Sequence, residues 1–123
     1  MKKTNFGEKV WSLKQEIIYA IKHIVFASEN NELKIPYYYD EDEYDEDVEQ
    51  LIDDEYEVFV GKPYCNLNVN LENYCGYNIN ADIVSLYIKD NELYVVTNKC
   101  DSYRIFDVAD INDLVRIYDK ITE

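Results

Sequence analysis

The residue types best able to do chemistry crowd into "YYYDEDEYDEDVEQLIDDEYE", residues 37–57. Asp40, Asp42, Glu43, Asp45, Asp47 and Glu49 bring carboxylates close together, with Tyr38, Tyr39 and Tyr44 among them. Such a run can hold a divalent cation or dock electrostatically on a basic surface. A helix-flanked calcium loop needs oxygen ligands at fixed places, a glycine at its sixth position and a closing glutamate at its twelfth. Counted from Asp40, Tyr44 takes the fifth place, Asp45 stands where the glycine belongs and Leu51 replaces the glutamate. Counted from Asp45, Gln50 and Tyr56 fail the same two places. The run therefore defines no metal site, and weak divalent-cation binding stays only as an alternative reading.

Other catalytic chemistry lacks its parts. His23 is the only histidine, and its helical row, Ser12, Glu16 and Tyr19, supplies no nucleophile motif, so it reads as a solvated surface residue. Cys65, Cys75 and Cys100 have no paired spacing that would suit zinc. Cys100, in an expected turn beside Lys99, is the expected exposed thiol, and the neighbouring ammonium favours thiolate. Gly7, Gly61 and Gly76 are isolated, so no phosphate-cradling loop is written. We expect no enzyme, no catalytic residue and no cofactor.

Charge carries the remaining information. The 123 residues have a formal net charge of −14, yet residues 1–34 hold six Lys against four Glu. Residues 35–57 hold 12 carboxylates with no Lys or Arg, leaving their field unscreened by sequence neighbours. Direct binding to nucleic-acid phosphate requires a basic surface, so it is disfavoured, and a basic protein partner is favoured. In an extended strand alternate side chains project every ~6.7 Å, comparable to phosphates along one strand given ~1.7 Å of duplex axis per charge. The tyrosines add rings that stack on arginine. In composition the run resembles proteins that occupy nucleic-acid-binding sites by mimicry, many encoded by phages and mobile elements. That resemblance implies a non-enzymatic binding or regulatory protein docking on a basic surface through the nine residues named above. Against it stands a structural or assembly subunit whose acidic loop only solubilises; its interface would be the 32–39 edge or the ring of Tyr74 and Tyr77. No leader and no apolar run of ~18 residues is visible, which points to a cytoplasmic protein without a membrane span.

The elements that position these residues follow from periodicity. Val10, Leu13, Ile17, Ile21 and Ile24, widened by Trp11, Ile18 and Val25, predict a helix over 8–28, with Lys14 and Lys22 facing water and Asn30 or Asn31 in a left-handed cap. Residues 32–39 read as an edge strand because Pro36 cannot donate to a ladder. Val48, Leu51 and Ile52 predict a short helix over 46–53, and a strand follows at 55–60. Leu67, Val69 and Leu71 alternate with Asn66, Asn68 and Asn70, a strand with one wet face. Residues 74–81 read as loop. Strands at 82–89, 92–97 and 102–108 form a meander turned at Asp90-Asn91. Asp110 caps a last helix whose face is Ile111, Leu114, Val115, Tyr118 and Ile121. The expectation is one α+β domain over 1–123. Its antiparallel sheet comprises the C-terminal three-stranded meander plus one to three further strands, packed by an N-terminal and a C-terminal helix. An acidic segment at 37–57 is attached as a mobile element.

Overall fold

The computed structural model describes residues 6–71 and 80–123. The fold is α+β, as expected. In chain order the elements are α1 (Phe6–Phe26), β1 (Glu32–Lys34), β2 (Tyr37–Tyr39), α2 (Glu46–Asp53), β3 (Val58–Val60), β4 (Asn68–Asn70), β5 (Asn80–Lys89), β6 (Glu92–Thr97), β7 (Ser102–Arg104), α3 (Ile105–Val108) and α4 (Ile111–Ile121). β1, β5, β6 and β7 lie side by side in that order, and β4 pairs with the beginning of β5; every pairing in this five-stranded sheet is antiparallel. β2 and β3 form a separate parallel pair.

β5 organises the sheet because it is apolar on both faces. Ala81, Ile83, Leu86 and Ile88 face one core, and Val84 and Tyr87 face another. The change from odd to even positions on one face comes from a bulge between Ile83 and Ser85. Asp90 and Asn91, both at positive φ (52° and 65°), make the tight β5–β6 turn that the sequence indicates. Asn30 and Asn31 likewise adopt left-handed conformations after α1. Helices α1, α3 and α4 cover one face of the sheet through Ile18, Ile21, Val25, Ile105, Leu114 and Ile117. The opposite face receives the β2–β3 ribbon and α2, through Tyr37, Leu51 and Val58 packed on Val84 and Val96.

Five sequence expectations are corrected. Residues 32–39 are not one strand: Pro36 separates β1, in the main sheet, from β2, which crosses to the other layer. The third meander strand stops at Arg104, because Ile105 and Val108 turn inward as a helical pair, both almost fully buried. In α1 the buried line is Ile18, Ile21 and Val25, while Val10, Trp11 and Leu13 stay about half exposed, so the first turns project past the packed layer. Lys14 does not face water freely; its Nζ lies 4.4 Å from the Phe106 ring centroid, and burial pulls its pKa down against the nearby Asp107, Asp110 and Asp113. In α4, Asp113, Leu114 and Ile117 are buried and Val115 and Tyr118 exposed. The Asp110–Asp113 capping box and the reach of Arg116 from Asp113 to Asn68 rotate that helix.

Candidate functional site

The acidic segment is folded by its own carboxylates. Asp40 accepts a hydrogen bond from the Asp42 N–H at 3.2 Å and starts a 3₁₀ turn, Glu41–Glu43. Asp45 accepts from the Val48 N–H at 3.0 Å and caps α2. Glu46, Asp47 and Glu49 then fill the first turns, where the exposed N–H groups favour negative charge. Leu51 points into the small core and Val48 is buried beside it on the same side of the helix, so α2 is pinned through one apolar side and presents Glu46, Glu49 and Asp53 to water.

The ribbon sorts its tyrosines by strand parity. Tyr37 is buried, and its hydroxyl accepts from Asn98 Nδ2 at 3.4 Å; burial raises its pKa. Tyr39 packs against the small core and meets the Tyr44 ring at 5.9 Å. Tyr38 projects the other way, 5.7 Å from the ring of Phe59. The amide of Asn66 clamps the β2 edge: its Oδ1 accepts from the Tyr38 N–H and its Nδ2 donates to the Tyr38 carbonyl, both at 2.7 Å. The same Nδ2 lies 3.2 Å from Asp82 Oδ2, which links the ribbon to β5.

A concavity of about 420 Å³ lies where these pieces meet, lined among others by Tyr39, Glu43, Tyr44, Asp45, Asp47 and Lys99. Five of the nine expected residues therefore share one hollow. Asp40, Asp42 and Glu49 are exposed on the surface outside its lining, and Tyr38 is on the opposite side of the ribbon with Phe59. The carboxylates divide by use: Asp40 and Asp45 are caps, and Asp47 faces Lys99 Nζ at 3.7 Å. Asp42, Glu43 and Glu49 have no side-chain partner among the described residues. Tyr44 is half exposed; desolvation, then the charges of Glu49, Tyr39 and Asp53, raise its pKa.

Three expectations about this face change. The extended row of carboxylates does not form, because Glu41–Glu43 and Glu46–Asp53 are helical and break the alternation. The field is not without neighbouring cations: Lys99 approaches Asp47, and Lys34 Nζ donates to the Glu55 carbonyl at 2.7 Å. Cys100 is exposed, as expected, yet its pKa is raised, first by desolvation and then by Asp47, Asp54, Asp101 and Asp45, so the Lys99 ammonium does not activate it. Lys99, Asn66 and Asn98 are the partners that sequence spacing missed. Asn66 carried only the signal of a strand's wet face, and its contact with Tyr38 spans 28 positions.

Elsewhere, Cys65 is exposed, and Cys75, Tyr74 and Tyr77 lie outside the described residues, as does most of the loop expected at 74–81. His23 is exposed at the rim of a shallow cavity with Tyr19, Lys22, Phe26 and Asn91, and Lys22 Nζ donates to the Asn91 carbonyl at 2.6 Å. Among the described residues no group of three or more His, Cys, Asp or Glu is placed to hold a metal ion, and no helix is long and apolar enough to cross a membrane. Compared with family models, curated proteins and solved structures, the chain matches none of them.

Proposed function

We propose that this is a non-enzymatic binding protein whose acidic, tyrosine-bearing layer docks on a basic surface of a partner protein. One observation carries the reading: Glu43, lining the Tyr39–Tyr44 hollow, and Asp42 and Glu49, on the surface outside that lining, stand exposed without side-chain partners among the described residues, on a chain of net charge −14. The Asp40 and Asp45 caps and the Asp47–Lys99 pair fix the backbone that carries these three. An arginine-bearing surface answers both features, since guanidinium pairs with carboxylate and stacks on tyrosine. Long-range attraction speeds encounter, so affinity falls with salt chiefly through the on-rate. A nucleic-acid-binding site is the basic surface we favour, as a site already shaped for dense negative charge.

The test replaces only unpaired charges: Asp42→Asn, Glu43→Gln and Glu49→Gln together, leaving the Asp40 and Asp45 caps intact. Immobilised wild type and variant are exposed to the source cell's lysate at low and high salt. The reading expects a basic protein retained by wild type at low salt, lost at high salt, and absent from the variant. Duplex DNA should displace it if the contact is a nucleic-acid-binding site. Equal recovery on both baits would sink the proposal.

A further inference from the structure

Among the described residues the strand edges of this protein are guarded in different ways, and that of β3 the least. The ladder bonds of the parallel ribbon run from the Tyr37 N–H to the Glu57 carbonyl and from the Gly61 N–H to the Tyr39 carbonyl, each 2.8 Å. With Tyr37 opposite Val58 and Tyr39 opposite Val60, this parity turns the backbone of Glu57, Phe59 and Gly61 toward β2. The N–H and C=O groups of Val58 and Val60 therefore point outward, and they have no partner among the described residues. The other edges differ. Asn66 occupies the outward groups of Tyr38 on β2. Arg116 Nη2 donates to the Asn68 carbonyl on β4 at 3.1 Å. β1 carries Lys34 and is ended by Pro36, and β7 passes into α3 after three residues, its Arg104 held by Asp107 at 2.8 Å. Charged residues, prolines and short length are the usual guards of a free edge. β3 is equally short, but its "VFV" carries neither charge nor proline, and Phe59 and Val60 are 48% and 60% exposed.

We propose that the outer edge of β3 is a strand-addition site, filled by an extended basic segment of a partner protein whose backbone pairs with Val58 and Val60. This deepens the docking reading and rests on it for the occupant's charge. Backbone pairing supplies affinity without regard to sequence, and alternate side chains supply choice. Glu55 and Glu57, both exposed, lead into the strand, and Asp53 and Asp54 precede them. A second copy pairing in parallel would set those carboxylates against their own kind across the new ladder, and in either direction it approaches against −14 per chain. A lysine- or arginine-bearing segment meets them with opposite charge, while its apolar positions lie along Phe59 or Val60.

The probe is a synthetic peptide of alternating lysine and valine, added to the full chain while amide hydrogen exchange is followed by NMR. Strand addition slows exchange at Val58 and Val60 by about tenfold or more, with the amides of β1 and β7 unchanged. Val60→Pro deletes an outward donor that β2 does not use and abolishes the slowing at Val58, with Leu86 and Val95 protection showing that the sheet is intact. Unchanged exchange at Val58 and Val60 with saturating peptide overturns the proposal. So does protection that rises with protein concentration alone, which would make a second copy the occupant. The triple-neutralised variant separates this from the docking reading. If that variant binds the peptide with unchanged affinity and salt dependence and still protects Val58 and Val60, strand addition stands and acidic docking through those three carboxylates falls. Salt-sensitive binding that leaves both amides unprotected removes strand addition and leaves acidic docking in place.

Discussion

The two faces of the main sheet are built on different terms. The face under α1, α3 and α4 is closed by aliphatic side chains, Ile21, Ile83, Leu86, Leu93, Leu114 and Ile117 among them, each essentially without solvent contact. The opposite face carries a buried cluster of Tyr37, Leu51, Val84 and Val96 only, ringed by Tyr39, Tyr56 and Tyr87, with carboxylates above it. Hydrophobic stabilisation scales with apolar area removed from water, so the helical face supplies most of the folding free energy. The acidic face is a thin layer held by Tyr37, Leu51 and Val58, the Asn66 clamp and the Asp40 and Asp45 caps. On the proposed reading, stability and interaction thus fall on opposite sides of β5.

Core truncations test this division most severely. Leu114→Ala and Leu51→Ala each remove a fully buried side chain, and each is expected to cost about 2–5 kcal/mol, Leu51 toward the low end because its small cluster can relax. Their signatures should differ. Urea unfolding of Leu114→Ala keeps its slope and shifts its midpoint. Leu51→Ala instead lowers the slope, since a loosened acidic layer already exposes surface before the main transition. Equal slopes in both variants would mean that the two faces unfold as one unit.

The Asn66 clamp is the next largest effect. Asn66→Ala leaves the Tyr38 N–H and C=O without their two 2.7 Å bonds, and about 1–3 kcal/mol of local stability should be lost. Hydrogen exchange at Tyr38 and Phe59 should accelerate while Leu86 and Val95 stay protected. Asn66→Asp is the sharper variant: it keeps the acceptor for Tyr38 N–H but sets an oxygen against the Tyr38 carbonyl and the Asp82 carboxylate, so exchange should accelerate at least as much as in Asn66→Ala.

What was legible in the sequence follows the range of the interactions. Periodicity gave α2 at 46–53, the alternating β4 and the Asp90-Asn91 turn, because each is set by neighbours within a few positions. It misplaced the inward side of α4, since Arg116 reaching Asn68, 48 positions away, helps to set that rotation. The acidic run was visible at once as charge. Val48 and Leu51 at helical spacing mark its helical part; the 3₁₀ turn at Glu41–Glu43, started by the Asp40 side chain, is what an extended row of carboxylates leaves out. That the 37–60 stretch forms a layer against β5 and β6 depends on Tyr37, Leu51, Val84 and Val96 meeting, and nothing local announces it.

Removal of the α2 cap should matter less. Asp45→Ala is expected to cost about 0.5–2 kcal/mol, nearer the lower figure because one charge leaves a crowded segment. Asp45→Asn keeps the acceptor for Val48 N–H and should be close to neutral, which separates the cap from the charge. Asp110→Ala gives the counterpart on the helical face. It should cost more, because Asp110 and Asp113 bond reciprocally and Asp113 is buried. Circular dichroism during thermal unfolding ranks all three.

The smallest effect lies where the two faces are joined. Asp82 donates its N–H to Asn98 Oδ1 at 3.1 Å, and its carboxylate meets Asn66 Nδ2, so it sits under the ribbon. Burial raises its pKa above the ordinary 3.8, opposed by the Asn66 hydrogen bond and the charge of Lys99. A carboxyl whose pKa is higher folded than unfolded favours the fold in its protonated form. Its contribution is therefore fully present below pH 3.8 and is lost as pH rises through the raised value. At pH 7 the ionised Asp82 is then a cost, kept below about 1 kcal/mol because solvent and Lys99 screen a half-exposed group. Asp82→Asn retains an oxygen for Asn66 and should raise the thermal midpoint slightly at pH 7, with the gain vanishing below pH 3.8. A variant less stable than wild type at pH 7 would reverse the sign: attraction to Lys99 would outweigh burial, and the joint between the faces would be an ion pair rather than a buried acid.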